Sequence, residues 1–443
     1  MACTIKPMPG TLRMTDSHSP LDSCIAEVWE LLDRIGHETA DSPGITRAAW
    51  STSEEMAADG VRAFARQHGL QVLNDAFGNI QVLLPGVDPA TPCVTTGSHL
   101  DSVPHGGNYD GLAGVAAGLA VLAAANADPV NRAKPFRVVA MRGEESPWFG
   151  TAYLGSRLML GLSTLDEIGA LVRSDSGQSL RHHIQHLGYP RTGEAVAPLL
   201  DADLVTSFLE LHIEQGPLLE ADGIPVGIAT AVRGNVRFPD ARCIGAYGHS
   251  AALPRRFRQD AVLAAAELTL RLDGFWKDRI AQGDEDFVFT VGKFSTDAVL
   301  HAMTKVAGEV RFSLNIGAAV KTSQDAARAL LFDLIKDIEA DRGVTFELGR
   351  EVGTAPTQLD GQLIALVEDA ASTLGIATRR MPTVGHDAAM FARAGIPSAV
   401  ILIRNANGSH NSDEALELND FAGGVHVLAR AMHQRALQGT ERR

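Results

Sequence analysis

The sequence predicts an α/β protein whose mainly parallel sheet, covered by helices on both faces, is interrupted by a smaller α+β domain with an antiparallel sheet and two helices. Three observations carry this expectation. Short apolar runs alternate with helical patterns in the first and last parts of the chain, as in βα units. From about Gly227 to Gly317 the pattern changes to strands of antiparallel character. At 443 residues the chain also exceeds one ordinary domain. The expected division is an arm over 1–24, a first domain built from 25–226 and 344–443, and an inserted domain over 227–343.

Residues 24 to 36 and 53 to 69 show helical spacing of apolar positions. LQVLNDAFGNIQVLLPG, 70 to 86, reads as a hairpin: alternating apolar residues flank Asn74 to Asn79, with Gly78 in the turn. PCVTTGSH is a β-branched run of the kind found in buried strands, and GLAGVAAGLAVLAAANA follows it as a helix. Three further apolar runs are expected strands. FRVVAM (136 to 141) leads into RGEESPWFG, SFLELHI (207 to 213) into EQGP, and SAVILI (398 to 403) into RNANGSHNSDE. The middle holds the strands VRFPDARCIGAYG, FVFTVGKF and GEVRFSLNIG, with the helix DAVLAAAELTLRLDGFW between the first two. AARALLFDLIKDIEADRG (326 to 343) supplies its second helix. LIALVEDAASTLG and HDAAMFARAG then resume helix–strand alternation.

Composition narrows the function classes. With 45% hydrophobic and 21% charged residues the chain suits a soluble globular protein with a full core. No apolar run reaches the length of a membrane span, and the first twenty residues lack the apolar stretch of a secretory signal. A net charge of −14 argues against nucleic acid or an anionic membrane as partner. Cys3, Cys24, Cys93 and Cys243 show no CxxC spacing and read as reduced thiols of a cytoplasmic protein.

In parallel sheets, ligands sit just beyond the carboxyl ends of the strands. Four expected strand ends here carry acids or histidines: His99, Asp101 and Asp110; Glu144 and Glu145; His212 and Glu214; His410. Imidazole nitrogen with carboxylate oxygen suits Zn²⁺ or Mn²⁺. A two-ion site holds its metals about 3.5–4 Å apart, and a shared carboxylate is a natural bridge. Adjacent residues at a strand end point different ways, so one of Glu144 and Glu145 can ligate while the other faces water and shuttles a proton. Taken singly, a Glu-Glu pair is ordinary solvated surface and a strand-end His a hydrogen-bonded structural residue. Ligand-type residues at four separate strand ends are hard to explain as packing.

These residues resemble the dinuclear metallohydrolases of the aminoacylase/carboxypeptidase superfamily, in the branch of N-carbamoyl-L-amino acid hydrolases, β-ureidopropionase and allantoate amidohydrolase. The resemblance runs over roughly residues 25 to 435. It rests on GSHLDSVPHGGNYDGLAGV, HIEQGP, GHSAALPRRFRQDA, GHDAAMFARAGIPSAVI and GSHNSDE. It implies two divalent ions (Zn²⁺, Mn²⁺ or Co²⁺), one held by His99, Asp110 and His212, the other by Asp110, Glu145 and His410. It further implies Glu144 as general base, Asp101 orienting His99, Gln215 at the substrate amide or ureido group, His386 lining the pocket and His249 at the oxyanion. The smaller domain would be a lid and dimerisation domain of a homodimer acting on a small-molecule substrate. His105 has no role in this scheme, and Glu214 stands behind the ligands.

Two departures qualify the resemblance. Family members that process amino-acid derivatives grip the substrate carboxylate with an Asn and an Arg, a task that suits the Arg fork. In MTKVAGEVRFSLNIG, Thr304 and Gly317 stand at those places. Losing such an Arg costs a carboxylate substrate about 2–5 kcal/mol. Either another cation serves (Arg233, Arg237, Lys305 and Arg311 are candidates) or the substrate lacks that carboxylate. Trp148, in EESPWFG, is either a pocket wall or packing. The expected activity is hydrolysis of a linear C–N bond in an N-carbamoyl-amino-acid-like substrate. The alternatives are an amide without the α-carboxylate, an aminoacylase or dipeptidase, and a scaffold with a dead site.

Overall fold

A computed structural model describes residues 19–440, apart from 130, 133, 194, 195 and 285. Most of the expected arm, with Cys3, lies outside the described residues. The first helix already begins at Pro20, ahead of the expected residue 24 (α1, Pro20–Glu38). Ser19 and Asp22 cap it reciprocally, and proline fits its first turn because its missing N–H would have no helical partner there.

The chain divides into two units. The first comprises the chain up to Ile228 with Gln362–Arg379 and Ala394–Arg443. It contains α1, α2 (Thr52–Gln67), β1 (Gln71–Asn74), β2 (Ile80–Leu83), β3 (Cys93–His99), α3 (Leu112–Ala127), β4 (Phe136–Met141), β5 (Val205–Ile213) and the start of β6 (Val226–Val232). The helix Gly361–Thr373 (from Gln362 on), the strand Ser398–Ile403, the helix Leu418–Thr440 and several short helices also belong to it. The sheet order is β1, β2, β4, β3, β5, Ser398–Ile403, β6.

β4, β3, β5 and Ser398–Ile403 are mutually parallel, while β1, β2 and β6 run antiparallel to their neighbours. The sheet is therefore mixed rather than mainly parallel. The cause is local on one side: the Asp75 carboxylate accepts the N–H groups of Phe77 and Asn79, and the tight turn it closes can only return the chain antiparallel. The four parallel strands are almost wholly buried, as near-continuous apolar runs require. α3 is buried on every side from Leu112 to Ala123 and packs on β3, β4 and β5 as well as on α1 and Leu418–Thr440. Gly114 permits this, since a Cβ there would lie 2.1 Å from the Leu211 carbonyl oxygen. Because the four central strands run the same way, their carboxyl ends share one edge.

The second unit comprises Ala229–Gly361 and Arg380–Arg393. Its antiparallel sheet pairs Gly234–Ile244 with Glu309–Ala318 and Thr345–Glu347, and adds Phe294–Thr296, Val288–Thr290 and Val352–Thr354. Helices Ala261–Ala281 and Lys321–Arg342 bury an apolar core on it that includes Phe238, Leu268, Phe287, Phe312 and Leu331. FVFTVGKF forms two short strands instead of one. A separate ribbon pairs Gly248–His249 with Lys305–Val306.

Among the described residues no helix is long and apolar enough to cross a membrane. Cys24, Cys93 and Cys243 are free and buried.

A satellite core in the first unit gathers Trp50, Trp148, Phe149, Leu180 and Ile184. His183, on the short helix Leu180–His186, is buried beside it, edge-on to Phe149 and 2.8 Å from Ser176 Oγ. Burial, then the charges of Arg173 and His182, push its pKa from the ordinary 6.5 down to about 4. Between those values the unfolded chain binds a proton that the folded chain does not, so stability falls as pH falls through that window. The urea midpoint should drop between pH 7 and pH 5, and drop less in His183→Gln.

Candidate metal centre

His99 ends β3, Glu144 and Glu145 follow β4, His212 lies near the end of β5, and His410 follows Ser398–Ile403. Asp110 stands just before α3. All but His410 are buried.

The ring orientations follow from main-chain oxygens. His99 Nδ1 donates to the Asp101 carbonyl at 3.0 Å, and His212 Nδ1 to the Ile213 carbonyl at 3.0 Å. Nε2 of each ring is thereby turned toward Asp110. Asp110 Oδ1 is 3.5 Å from His99 Nε2 and 3.2 Å from His212 Nε2, and the two imidazole nitrogens are 3.5 Å apart. The other oxygen, Oδ2, lies 3.4 Å from His410 Nε2, which is 3.3 Å from Glu145 Oε1. Ligands about 2.0–2.2 Å from a tetrahedral ion stand about 3.3–3.6 Å from one another. His99, Asp110 and His212 form one group of about that spacing, and Asp110, Glu145 and His410 form a second, with all ligand atoms of each group within 4.8 Å of one another. Hard and borderline donors without thiolate suit a divalent ion such as Zn²⁺ or Mn²⁺.

The electrostatics agree with such a donor set. Burial works to raise the Asp110 carboxyl, but His212 and His99 outweigh it and hold it well below the usual carboxylate range. Burial opposes the charged form of His99, yet Asp101 and Asp110 raise it well above its ordinary value. Glu145 raises His410 to about 9 against burial.

Asp101 fixes the acid pair. Its two carboxylate oxygens accept the main-chain N–H groups of Glu144 and Glu145 at 3.0 and 3.1 Å, while its own carbonyl orients His99. Gly111, with φ +71°, is required beside the ring: a Cβ there would lie 2.4 Å from the His99 imidazole. Gln215 and His410 both occupy the left-handed region, with φ +64° and +59°. The Gln215 N–H donates to Asn405 Oδ1, and its Nε2 donates to Asp110 Oδ2 at 2.7 Å. Its Oε1 is buried and has no partner among the described residues.

Two residues that the sequence reading passed over support the bridge. Ser409 Oγ is 2.6 Å from both Asp110 Oδ2 and Glu414 Oε2, and Glu414 Oε1 accepts the Tyr109 and Asp110 N–H groups. One hydroxyl has a single hydrogen for two carboxylates. Burial and the charge of Asp110 push the Glu414 carboxyl up to about 7, so Glu414 can carry the second proton. The only signal was an acid in the same closing motif as His410, SHNSDE.

Other candidates fall elsewhere. Glu214 accepts the N–H groups of Leu218 and Leu219 and caps a short helix. His105 is exposed against Asp41 and the Pro43 carbonyl. Trp148 is 3% exposed, belongs to the satellite core and donates to the Ser102 carbonyl, so it is packing and not a pocket wall.

His249 and His386 belong to the second unit. His249 is exposed, and its Nδ1 accepts two N–H groups, from Ala251 and Ala252, which leaves Nε2 as the donor. His386 is buried, with Nε2 2.7 Å from Thr383 Oγ1. Gly317 lies in Glu309–Ala318 opposite Asn235 and Val288, where a Cβ would already meet the Val288 side chain at 2.6 Å. Arg233, Arg237, Lys305 and Arg311 bond Asp286, Asn315, the Leu300 carbonyl and Glu309.

Residues 95–434 match the model of peptidase family M20/M25/M40. The chain is 32% identical to an N-carbamoyl-L-amino-acid amidohydrolase of Paenarthrobacter aurescens, over 89% of this chain and 94% of that one. It is 28% identical to an allantoate amidohydrolase of Escherichia coli, over 94% and 98%. A crystal structure of a hydantoinase/carbamoylase family amidase from Burkholderia ambifaria superposes with a TM-score of 0.80 at 28% identity, covering 93% of this chain and 97% of that one.

A divalent ion must displace the protons that His99 and His410 share with Asp110 and Glu145. Adding Mn²⁺ or Zn²⁺ to chelator-stripped protein at pH 7 should release protons, detected with an indicator dye in weak buffer. Affinity should fall as pH falls.

Proposed function

The chain belongs to peptidase family M20/M25/M40, and from that premise we propose that it is a metal-dependent amidohydrolase of linear, non-peptide C–N bonds, acting on N-carbamoyl-amino-acid-like substrates. The observation that carries the reading is the Asp110 carboxylate, each of whose oxygens faces its own group of donors at ligand spacing.

In this reading His99, Asp110 and His212 hold one ion and Asp110, Glu145 and His410 the other, the ions being Zn²⁺, Mn²⁺ or Co²⁺. Such ions, when bound, polarise a carbonyl and lower the pKa of water. Glu144, buried beside Glu145, takes the proton of the attacking water and hands it to the leaving nitrogen. Gln215 Oε1, buried without a partner among the described residues, suits a ureido N–H. His249, with its Nε2 proton free to donate, stabilises the developing oxyanion. His386 lines the pocket. The second unit serves as lid and dimerisation domain, so that His249 of one protomer completes the other's site in a homodimer. A carbamoyl substrate would yield an amine, ammonia and carbon dioxide.

The packing at Gly317 favours a second reading, a ureido or amide substrate without the usual α-carboxylate. Any side chain there would have to push the Val288 side chain aside, since a Cβ alone would lie 2.6 Å from it.

Ammonia release by Mn²⁺-loaded protein, measured on N-carbamoyl-L-amino acids and on their carboxamide or decarboxylated counterparts, separates the two. Turnover of the carboxylates supports the first reading, turnover of the others alone supports the second, and none with either would overturn both. Glu144→Gln should lower kcat at least a hundredfold with metal content unchanged; retained turnover would remove Glu144 as the base.

A further inference from the structure

Residues 142–145 carry the acid pair without belonging to any strand, yet their main-chain groups are satisfied, largely by side chains. The N–H of Arg142 donates to Asn79 Oδ1 at 2.9 Å, that of Gly143 to Glu54 Oε1 at 3.3 Å, and those of Glu144 and Glu145 to Asp101. The carbonyls of Arg142, Gly143 and Glu144 accept from Gly155, Leu154 and Tyr153, each at 2.9 Å. Asn79 and Asp101 are close to the turn in the fold for reasons of their own strands. Glu54 is not: it comes from the first turn of α2.

Glu54 is fully buried. Its Oε2 accepts the Trp50 N–H at 2.7 Å and Arg142 Nη1 at 2.8 Å. Arg142 is also fully buried; its Nε donates to the Gly78 carbonyl and its Nη2 to Glu55 Oε2. A buried ion pair of this kind adds little net stability over an apolar pair of equal volume. What it does supply is direction: the Glu54 carboxylate reaches the side chain of Arg142 and the main chain of Gly143 at once. Gly143 lies against Trp50, whose own N–H the same carboxylate holds.

We propose that Glu54, locked to Arg142, is a positioning residue that sets the turn from which the Glu144 carboxylate is aimed. It acts through the main chain and touches no substrate. This rests on the reading of Glu144 as the proton-transferring base.

The test compares wild type, Glu144→Gln, Glu54→Gln and the apolar pair Glu54→Leu/Arg142→Leu, all loaded with Mn²⁺. Metal content, urea midpoint, kcat and KM are measured for each. Glu54→Gln should lose 10- to 100-fold in kcat with KM within about twofold and full metal content. The apolar pair takes their partners from the Trp50 and Gly143 N–H groups and from the Gly78 carbonyl, so its urea midpoint should fall, and it should still show the kcat loss. Wild-type kcat in either folded Glu54 variant overturns the proposal, as does a loss expressed in KM or in metal content. Should the double variant not fold, Glu54→Gln decides by the same split. If Glu144→Gln stays active, the reading of the base has failed instead, and Glu54 has nothing to position.

Discussion

The Asp110 carboxylate is the point to which the first unit is tied. One oxygen faces two imidazoles and the other faces a third, together with Gln215 and Ser409. A buried carboxylate surrounded by so many partners survives only because each is held from behind. Main-chain carbonyls orient His99 and His212, Glu414 grips the Asp110 main chain, and Asn405 holds Gln215. The sheet makes this possible by running four strands in one direction, so that four chain segments turn polar at the same edge. Two donors of the set stand in backbone regions that L-residues rarely adopt, which marks where geometry for chemistry outweighs local comfort.

Much of this was legible in the sequence. Apolar runs that stop abruptly at His99, near Glu144 and at His212 announce buried strands with chemistry at their ends. The hairpin over 70–86 and the helices of both units follow from period and turn residues. The mixed character of the sheet was not legible, because the partner of an edge hairpin depends on pairings distant in sequence. Glu54 was invisible for a related reason. In TSEEM it looks like an acid in a first helical turn, favourable there on dipole grounds alone. Only the folded chain brings it to Gly143. Ser409 and Glu414 were overshadowed by the histidine between them. Trp148 stood undecided because a tryptophan near a cluster of acids can wall a pocket or fill a core, and burial alone separates the two.

The second unit tells a different story about substitution. At Gly317 the strand is flanked on both sides by neighbours, and the space that a longer side chain would need is taken by Val288. The four candidate cations, Arg233, Arg237, Lys305 and Arg311, each have a partner within the unit, so anion recognition would require one of them to exchange it for substrate.

Helix α3 has no face for water. Between Leu112 and Ala123 every side chain is enclosed by the sheet and by the helices beside it. While the chain is being synthesised, this segment leaves the ribosome long before β5, Ser398–Ile403 and the closing helix Leu418–Thr440 exist to cover it. For that interval it is an adhesive stretch next to the residues that later surround Asp110. The enclosure of the alanine-rich helix that brings Asp110 to the centre is therefore completed only when the closing helix Leu418–Thr440 packs on it.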